Sequence, residues 1–107
     1  DIERVNLGVL GYDVDQEMKE EFKLNTESGF YVDSIDKGSA AQFSGMLPGD
    51  VIVGIDNQPI QKFEDIVEVM KYNKAGDTVK IEILRDGKEK TVNVRLRKGL
   101  WIKYGGS

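Results

Sequence analysis

The 107-residue sequence predicts an α+β domain, a small and mostly antiparallel sheet closed by helices. Three observations predict it. Two alternating stretches, Thr78 to Leu84 and Lys90 to Leu96, flank Arg85-Asp86-Gly87-Lys88, a strong hairpin signal. Between Phe63 and Tyr72, the apolar residues Phe63, Ile66, Val67 and Met70 recur at i, i+3, i+4 and i+7, the spacing of an amphipathic helix. The remaining apolar runs are short and separated by turn residues, which is the pattern of brief strands.

Taken in order, Gly8 to Val14 reads as an extended segment. Asp15 is a good N-cap for a helix over Gln16 to Leu24, where Met18 and Phe22 share a face. Its charged face (Glu17, Lys19, Glu20, Glu21, Lys23) is solvated. Asn25 to Ser28 is a polar turn, and Gly29 to Ile35 is β-rich with imperfect alternation. Gly38 to Phe43 reads as a cap followed by one or two helical turns, closed at Gly45. In Leu47-Pro48-Gly49-Asp50, Pro presets φ and Gly supplies a positive φ, so a turn launches the strand Val51 to Ile55. Asp50 is expected to satisfy backbone donors of that turn. Asp56 to Pro59 is a second turn, and Gly76 marks the exit of the Phe63–Tyr72 helix. The order is strand, helix, strand, short helix, strand, helix, strand, strand.

Composition narrows function by exclusion. With no Cys and no His, the chain holds no thiol nucleophile, disulfide, Ser-His-Asp triad or His-ligated metal site. Its carboxylates are scattered through polar stretches, away from the apolar surroundings that raise a catalytic pKa. The fragment is therefore read as no enzyme, with no cofactor and no metal. A net charge of −4 with interspersed Lys and Glu argues against nucleic acid. No stretch approaches the ~20 apolar residues of a membrane span. The chain opens at Asp1 without an initiator Met, as expected of a piece cut from a longer polypeptide.

Four separated segments carry a family resemblance. Asn6-Leu7-Gly8-Val9 fits the pattern any residue, apolar, Gly, apolar. Gly38-Ser39-Ala40-Ala41 precedes a short helix. Gly45-Met46-Leu47-Pro48-Gly49-Asp50-Val51-Ile52 is a Gly-apolar-x-x-Gly-Asp-apolar-Ile run, and Arg85-Asp86-Gly87-Lys88 closes the set. In this order and spacing they resemble a PDZ domain over roughly Arg4 to Leu96. The nearest subtype is that of the HtrA (Deg-type) serine proteases of the bacterial envelope, which also carry a helix after the first strand, as Gln16 to Leu24 does here. The resemblance implies a small antiparallel β-sandwich or partly open barrel of five to six strands capped by two to three helices. It implies a PDZ domain over residues 1–98 and a tail over 99–107.

The resemblance also implies a peptide site. A terminal carboxylate leaves water cheaply only where donors converge, and a Gly-containing loop can turn its N–H groups toward one point. That role falls to the amides of Leu7, Gly8 and Val9. Arg4 either adds long-range attraction or is a solvated surface charge. The strand Val9-Leu10-Gly11-Tyr12 is expected to present a free edge, to which the ligand adds as an antiparallel strand. The helix from Phe63 forms the opposite wall. Phe63 faces the third-from-last ligand residue, and Val67 and Met70, with Leu7 and Val9, enclose the last one. Apolar ligand ends follow, since each buried CH₂ contributes about 0.8 kcal/mol. Ile66 and Val69 are read as core.

The function so implied is recognition of free C-termini of misfolded or cleaved polypeptides, serving substrate recognition or regulation of a serine endopeptidase in the periplasm. The protease domain of the same parent chain is a partner, and the parent is a homo-oligomer. Two alternatives stand beside it: an oligomer-assembly module, or the PDZ of a C-terminal-processing or intramembrane protease. The tail, with Leu100, Trp101, Ile102 and Tyr104, reads as a linker, a packed strand, an added segment or, as a minority reading, an occupant of a neighbour's groove.

Overall fold

A computed structural model describes residues 2–97; the readings of the 99–107 tail lie outside them. The described residues form seven strands and three helices, in the order β1 (Glu3–Val5), β2 (Val9–Asp13), α1 (Gln16–Phe22), β3 (Phe30–Ile35), α2 (Ala40–Phe43), β4 (Val51–Ile55), β5 (Gln58–Pro59), α3 (Phe63–Met70), β6 (Thr78–Arg85) and β7 (Lys88–Arg95). All pairings are antiparallel, in the order β1-β2-β3-β4-β6-β7, with β5 alongside β4. The ends of this order do not meet, so the sheet curls without closing. The α+β class, the antiparallel sheet and the three helices are as expected. Two short strands, β1 and β5, are additional to the five read from the sequence.

The local causes are visible at the caps. Asp15 accepts the Met18 N–H at 2.8 Å and starts α1, while Ser39 accepts the Gln42 N–H at 3.1 Å and starts α2. The β6–β7 hairpin turns on Asp86 and Gly87, both at positive φ (53° and 76°). Its register runs from Thr78↔Arg95 to Arg85↔Lys88. The alternation of β6 buries Val79, Ile81 and Ile83 against Phe30, Ile52 and Ile66. These residues form one contiguous core, and α3 contributes Ile66 to it with 1% of its surface exposed. Val69 packs at the margin of that core. The division of α3 into core and outward residues follows its 3.6-residue period.

The turn at Leu47–Asp50 is locked more firmly than expected. Asp50 accepts the Leu47 N–H at 2.9 Å, the role read from the sequence. It is also 1% exposed and holds Arg85 through two bonds of 2.8 Å, from Nε and from a terminal guanidinium nitrogen. The second nitrogen also donates to the Gly45 carbonyl at 2.9 Å. The hydrogen bond to Asp50 raises the Arg85 pKa above its ordinary value, against a smaller opposing effect of desolvation. One carboxylate is therefore buried after all. It is gripped by a guanidinium and ties the β3–β4 connection to the final hairpin, which is a structural task.

Candidate functional site

The loop Asn6-Leu7-Gly8 reverses the chain between β1 and β2. Gly8 makes the reversal possible: its φ is +101°, and a Cβ there would lie 2.2 Å from the Ser39 Cβ. Three contacts fix the loop to the body. Leu7 is 2% exposed, its carbonyl accepts the Ala41 N–H at 2.9 Å, and the Gly8 carbonyl accepts the Asp36 N–H at 2.8 Å. The start of α2 and the end of β3 thus hold the loop from behind.

The free margin expected along Val9 to Tyr12 is not found. β1 runs antiparallel beside β2 and covers it, pairing Val5 with Val9, Arg4 with Leu10 and Glu3 with Gly11. The amide of Gly8, one of the three expected to face a ligand, donates to the Val5 carbonyl at 2.9 Å. The physical reason lies in Val5, an apolar residue that gains burial (4% exposed) by folding back across the tight loop. The outermost strand of this side is therefore β1. No strand pairs with its other margin among the described residues.

A cavity of about 270 Å³ lies between that outer strand and α3. Val5, Phe63, Ile66, Val67 and Met70 give it an apolar lining, and Arg4 and Lys71 stand at its rim with Asn6. Both cations have partners: Arg4 pairs with Asp36 and Lys71 with Glu68, all on partly or well exposed side chains. Of the ten residues expected in the site, Arg4, Phe63, Val67 and Met70 meet here. Leu7, Gly8 and Val9 are buried behind β1, and Leu10, Gly11 and Tyr12 lie along the covered strand. Leu10 and Tyr12 are half-buried, whereas Gly11 is enclosed, with no room for a side chain beside the Tyr31 carbonyl and the Phe30 ring.

The wall made by α3 is set in place from β2. The N-cap residue Lys62 makes no side-chain cap bond, and the Phe63 N–H is instead taken by the Asp13 carboxylate at 2.8 Å. The Phe63 ring packs on Phe30, with centroids 6.0 Å apart. Val67 is 41% exposed on the groove side, while Met70 is half-buried. Sequence reasoning missed Val5 and Asn6 as lining residues and Asp13 as the anchor of the helix. For Val5, the signal lay in an apolar residue three places before a glycine, which suits a chain reversal. Among the described residues no group of three or more Asp and Glu side chains gathers as a metal ligand set.

Comparison with known proteins places the chain in company. The profile of the PDZ domain matches residues 8–96. The periplasmic serine endoprotease DegP of Escherichia coli K12 is 28% identical over 97 residues, covering 91% of this chain and 20% of that protein. A probable periplasmic serine endoprotease, DegP-like, of a Marinomonas species is 33% identical over 95 residues, covering 89% of this chain and 20% of that one. The chain thus spans about a fifth of the length of these relatives. Among solved structures, the HtrA-type protease AlgW with decapeptide has a TM-score of 0.77 at 26% identity, covering 85% of this chain and 28% of that chain. The HtrA3 PDZ domain bound to a phage-derived ligand (FGRWV) has a TM-score of 0.73, covering 89% of this chain and 86% of that chain. At 19% identity it speaks for the fold alone.

Proposed function

The chain belongs to the PDZ domain family, and on that premise we propose that it holds the free C-terminal end of another polypeptide, with an apolar side chain as the last residue. One observation carries the reading: the apolar cavity against α3 has two cations, Arg4 and Lys71, at its rim. An apolar side chain ending in a carboxylate matches that pairing of lining and charge. In this reading Val67, Met70 and Phe63 contact ligand side chains, and the amides of Leu7, Gly8 and Val9 serve the carboxylate. Leu10, Gly11 and Tyr12 supply the margin for strand addition, which requires β1 to vacate it.

The AlgW protease is seen with a decapeptide, and peptide capture by this chain extends that behaviour to it. By the same extension the parent is a serine endopeptidase of the periplasm and a homo-oligomer. The domain would deliver unfolded or cleaved clients or signal their presence to the protease. The domain proper would span residues 1–98, with 99–107 as a tail beyond it.

Isothermal titration with a pentapeptide ending in Val, and with its C-terminally amidated twin, tests the reading. The free acid is expected to bind with micromolar affinity, because few residues are ordered over a small area. A charge-assisted hydrogen bond contributes about 1.5–3 kcal/mol, so the amide should bind at least about tenfold more weakly. Equal affinity of the two peptides would refute carboxylate recognition.

A further inference from the structure

We infer that β1 is a built-in competitor for the peptide site, a strand that a ligand must displace before it can pair with β2. The inference rests on the reading of this site as one that takes a peptide C-terminus. A ligand whose last residue sits at the Asn6–Gly8 loop, and which adds antiparallel to β2, runs along the track that Glu3–Val5 now occupies. Two strands cannot share one row of β2 backbone groups. Val5 stands where the ligand's last residue would stand, and its carbonyl oxygen takes the Gly8 N–H that a carboxylate oxygen would take. The chain thus mimics its own ligand.

Three features make β1 separable from the rest. It is three residues long, and of these only Val5 is buried. Its packing against α3 is loose, since the cavity of about 270 Å³ lies between them with Arg4, Val5 and Asn6 on one side. The loop, moreover, is held from the body as well as from β1. Leu7 and Gly8 are bonded to Ala41 and Asp36 through their carbonyls, and Gly8 is fitted against Ser39. When β1 leaves, those contacts remain, and the Gly8 N–H loses the Val5 carbonyl and faces the vacated track. Among the described residues, the ion pair of Arg4 with Asp36 is the only polar side-chain link between β1 and the body, and its exposure makes it a weak latch.

The consequence is a coupling between occupancy and release. Apparent affinity is the intrinsic affinity scaled by the fraction of molecules with β1 displaced. Ligand binding in turn frees the segment ahead of the loop, so any polypeptide joined before β1 is moved when the site fills. A tethered strand acts at an effective concentration in the millimolar range, enough to raise the threshold for micromolar peptides.

The chain contains no cysteine, so a disulfide can be placed cleanly across the ladder at Arg4 and Leu10, which oppose each other. In the doubly substituted R4C/L10C protein, the reduced and oxidised forms share every residue and differ only in whether β1 can leave. The pentapeptide ending in Val should bind the oxidised form at least about tenfold more weakly than the reduced form. Hydrogen exchange on the wild-type chain, which needs no variant to fold, should show the amides of Glu3–Val5 losing protection at saturating peptide while those of β2 keep theirs. Equal affinity of the oxidised and reduced forms, or β1 amides that stay protected in the complex, would overturn the displacement and leave peptide recognition standing. If the wild-type chain binds neither the free acid nor the amide, the underlying reading falls too.

Discussion

The Asp13 carboxylate accepts the Phe63 N–H at 2.8 Å, joining the last residue of β2 to the first residue of α3 across 50 positions of sequence. A helix N-terminus exposes donors that need partners, and α3 lacks one from its own N-cap residue, Lys62. Strand β2 therefore also anchors α3, the wall of the cavity opposite β1. Groove width is set by this bond at one end and by the Asn6–Gly8 loop at the other.

Replacing Asp13 by Ala removes that anchor. The expected loss is about 1 kcal/mol of folding stability, within the 0.5–2 kcal/mol typical of a lost helix cap. Urea denaturation should register it as a lower midpoint at unchanged slope. Asn at the same position keeps an acceptor and should recover most of the loss. A D13A protein as stable as the wild type would show that α3 is held by packing alone.

Gly8 to Ala places a Cβ 2.2 Å from the Ser39 Cβ at a φ of +101°, two faults at once. The backbone fault alone costs on the order of 1–3 kcal/mol. Substituting Ser39 by Gly in the same protein relieves the collision but not the φ. The double variant G8A/S39G should thus regain part of the stability lost in G8A, and a thermodynamic cycle over the four proteins measures the coupling. Additive losses would mean that Ser39 yields freely and that the loop is less tightly seated than the geometry indicates.

Arg85 to Ala leaves the 1% exposed Asp50 carboxylate without its guanidinium. Breaking a buried pair from one side costs roughly 3–5 kcal/mol. Arg85 is itself partly exposed, and the Leu47 N–H remains on Asp50, so the lower end, about 3 kcal/mol, is expected. Pairing R85A with D50N removes the orphaned charge and should be less damaging than R85A alone. Thermal unfolding of the three proteins checks the order.

What the sequence disclosed and what it withheld follow from the range of the forces involved. Helix α3 and the β6–β7 hairpin were legible because their signals are periodic and local. Phe63, Ile66, Val67 and Met70 state a helix face, and Asp86-Gly87 states a turn. The caps at Asp15 and Ser39 were legible for the same reason. By contrast, Glu3-Arg4-Val5 has one buried residue and no alternation, and it becomes a strand only because the Gly8 turn brings it to β2. The Asp13–Phe63 and Asp50–Arg85 bonds span 50 and 35 positions and leave no mark in any local window. Of the site, the α3 wall could be read from spacing. The covering of β2 could not, because it follows from the Gly8 turn bringing Glu3–Val5 back to β2 and from the burial that Val5 gains there.

The α3 wall gives a test that separates recognition from folding. Val67 is 41% exposed at the cavity mouth, so Glu there should change stability by no more than about 0.5 kcal/mol. A Glu at 67 also stands four residues ahead of Lys71, a favourable spacing for an ion pair on a helix. Peptide affinity should nevertheless fall at least about tenfold. The new carboxylate repels the ligand's charged end, competes for Lys71 and removes apolar surface from the lining. Leu at 67 keeps that surface and should bind within about fourfold of the wild type, since one methylene is worth about 0.8 kcal/mol. Titration of both variants with the Val-ended pentapeptide, alongside urea denaturation, reads the two effects separately. Unchanged affinity in V67E would move the ligand's last side chain away from α3.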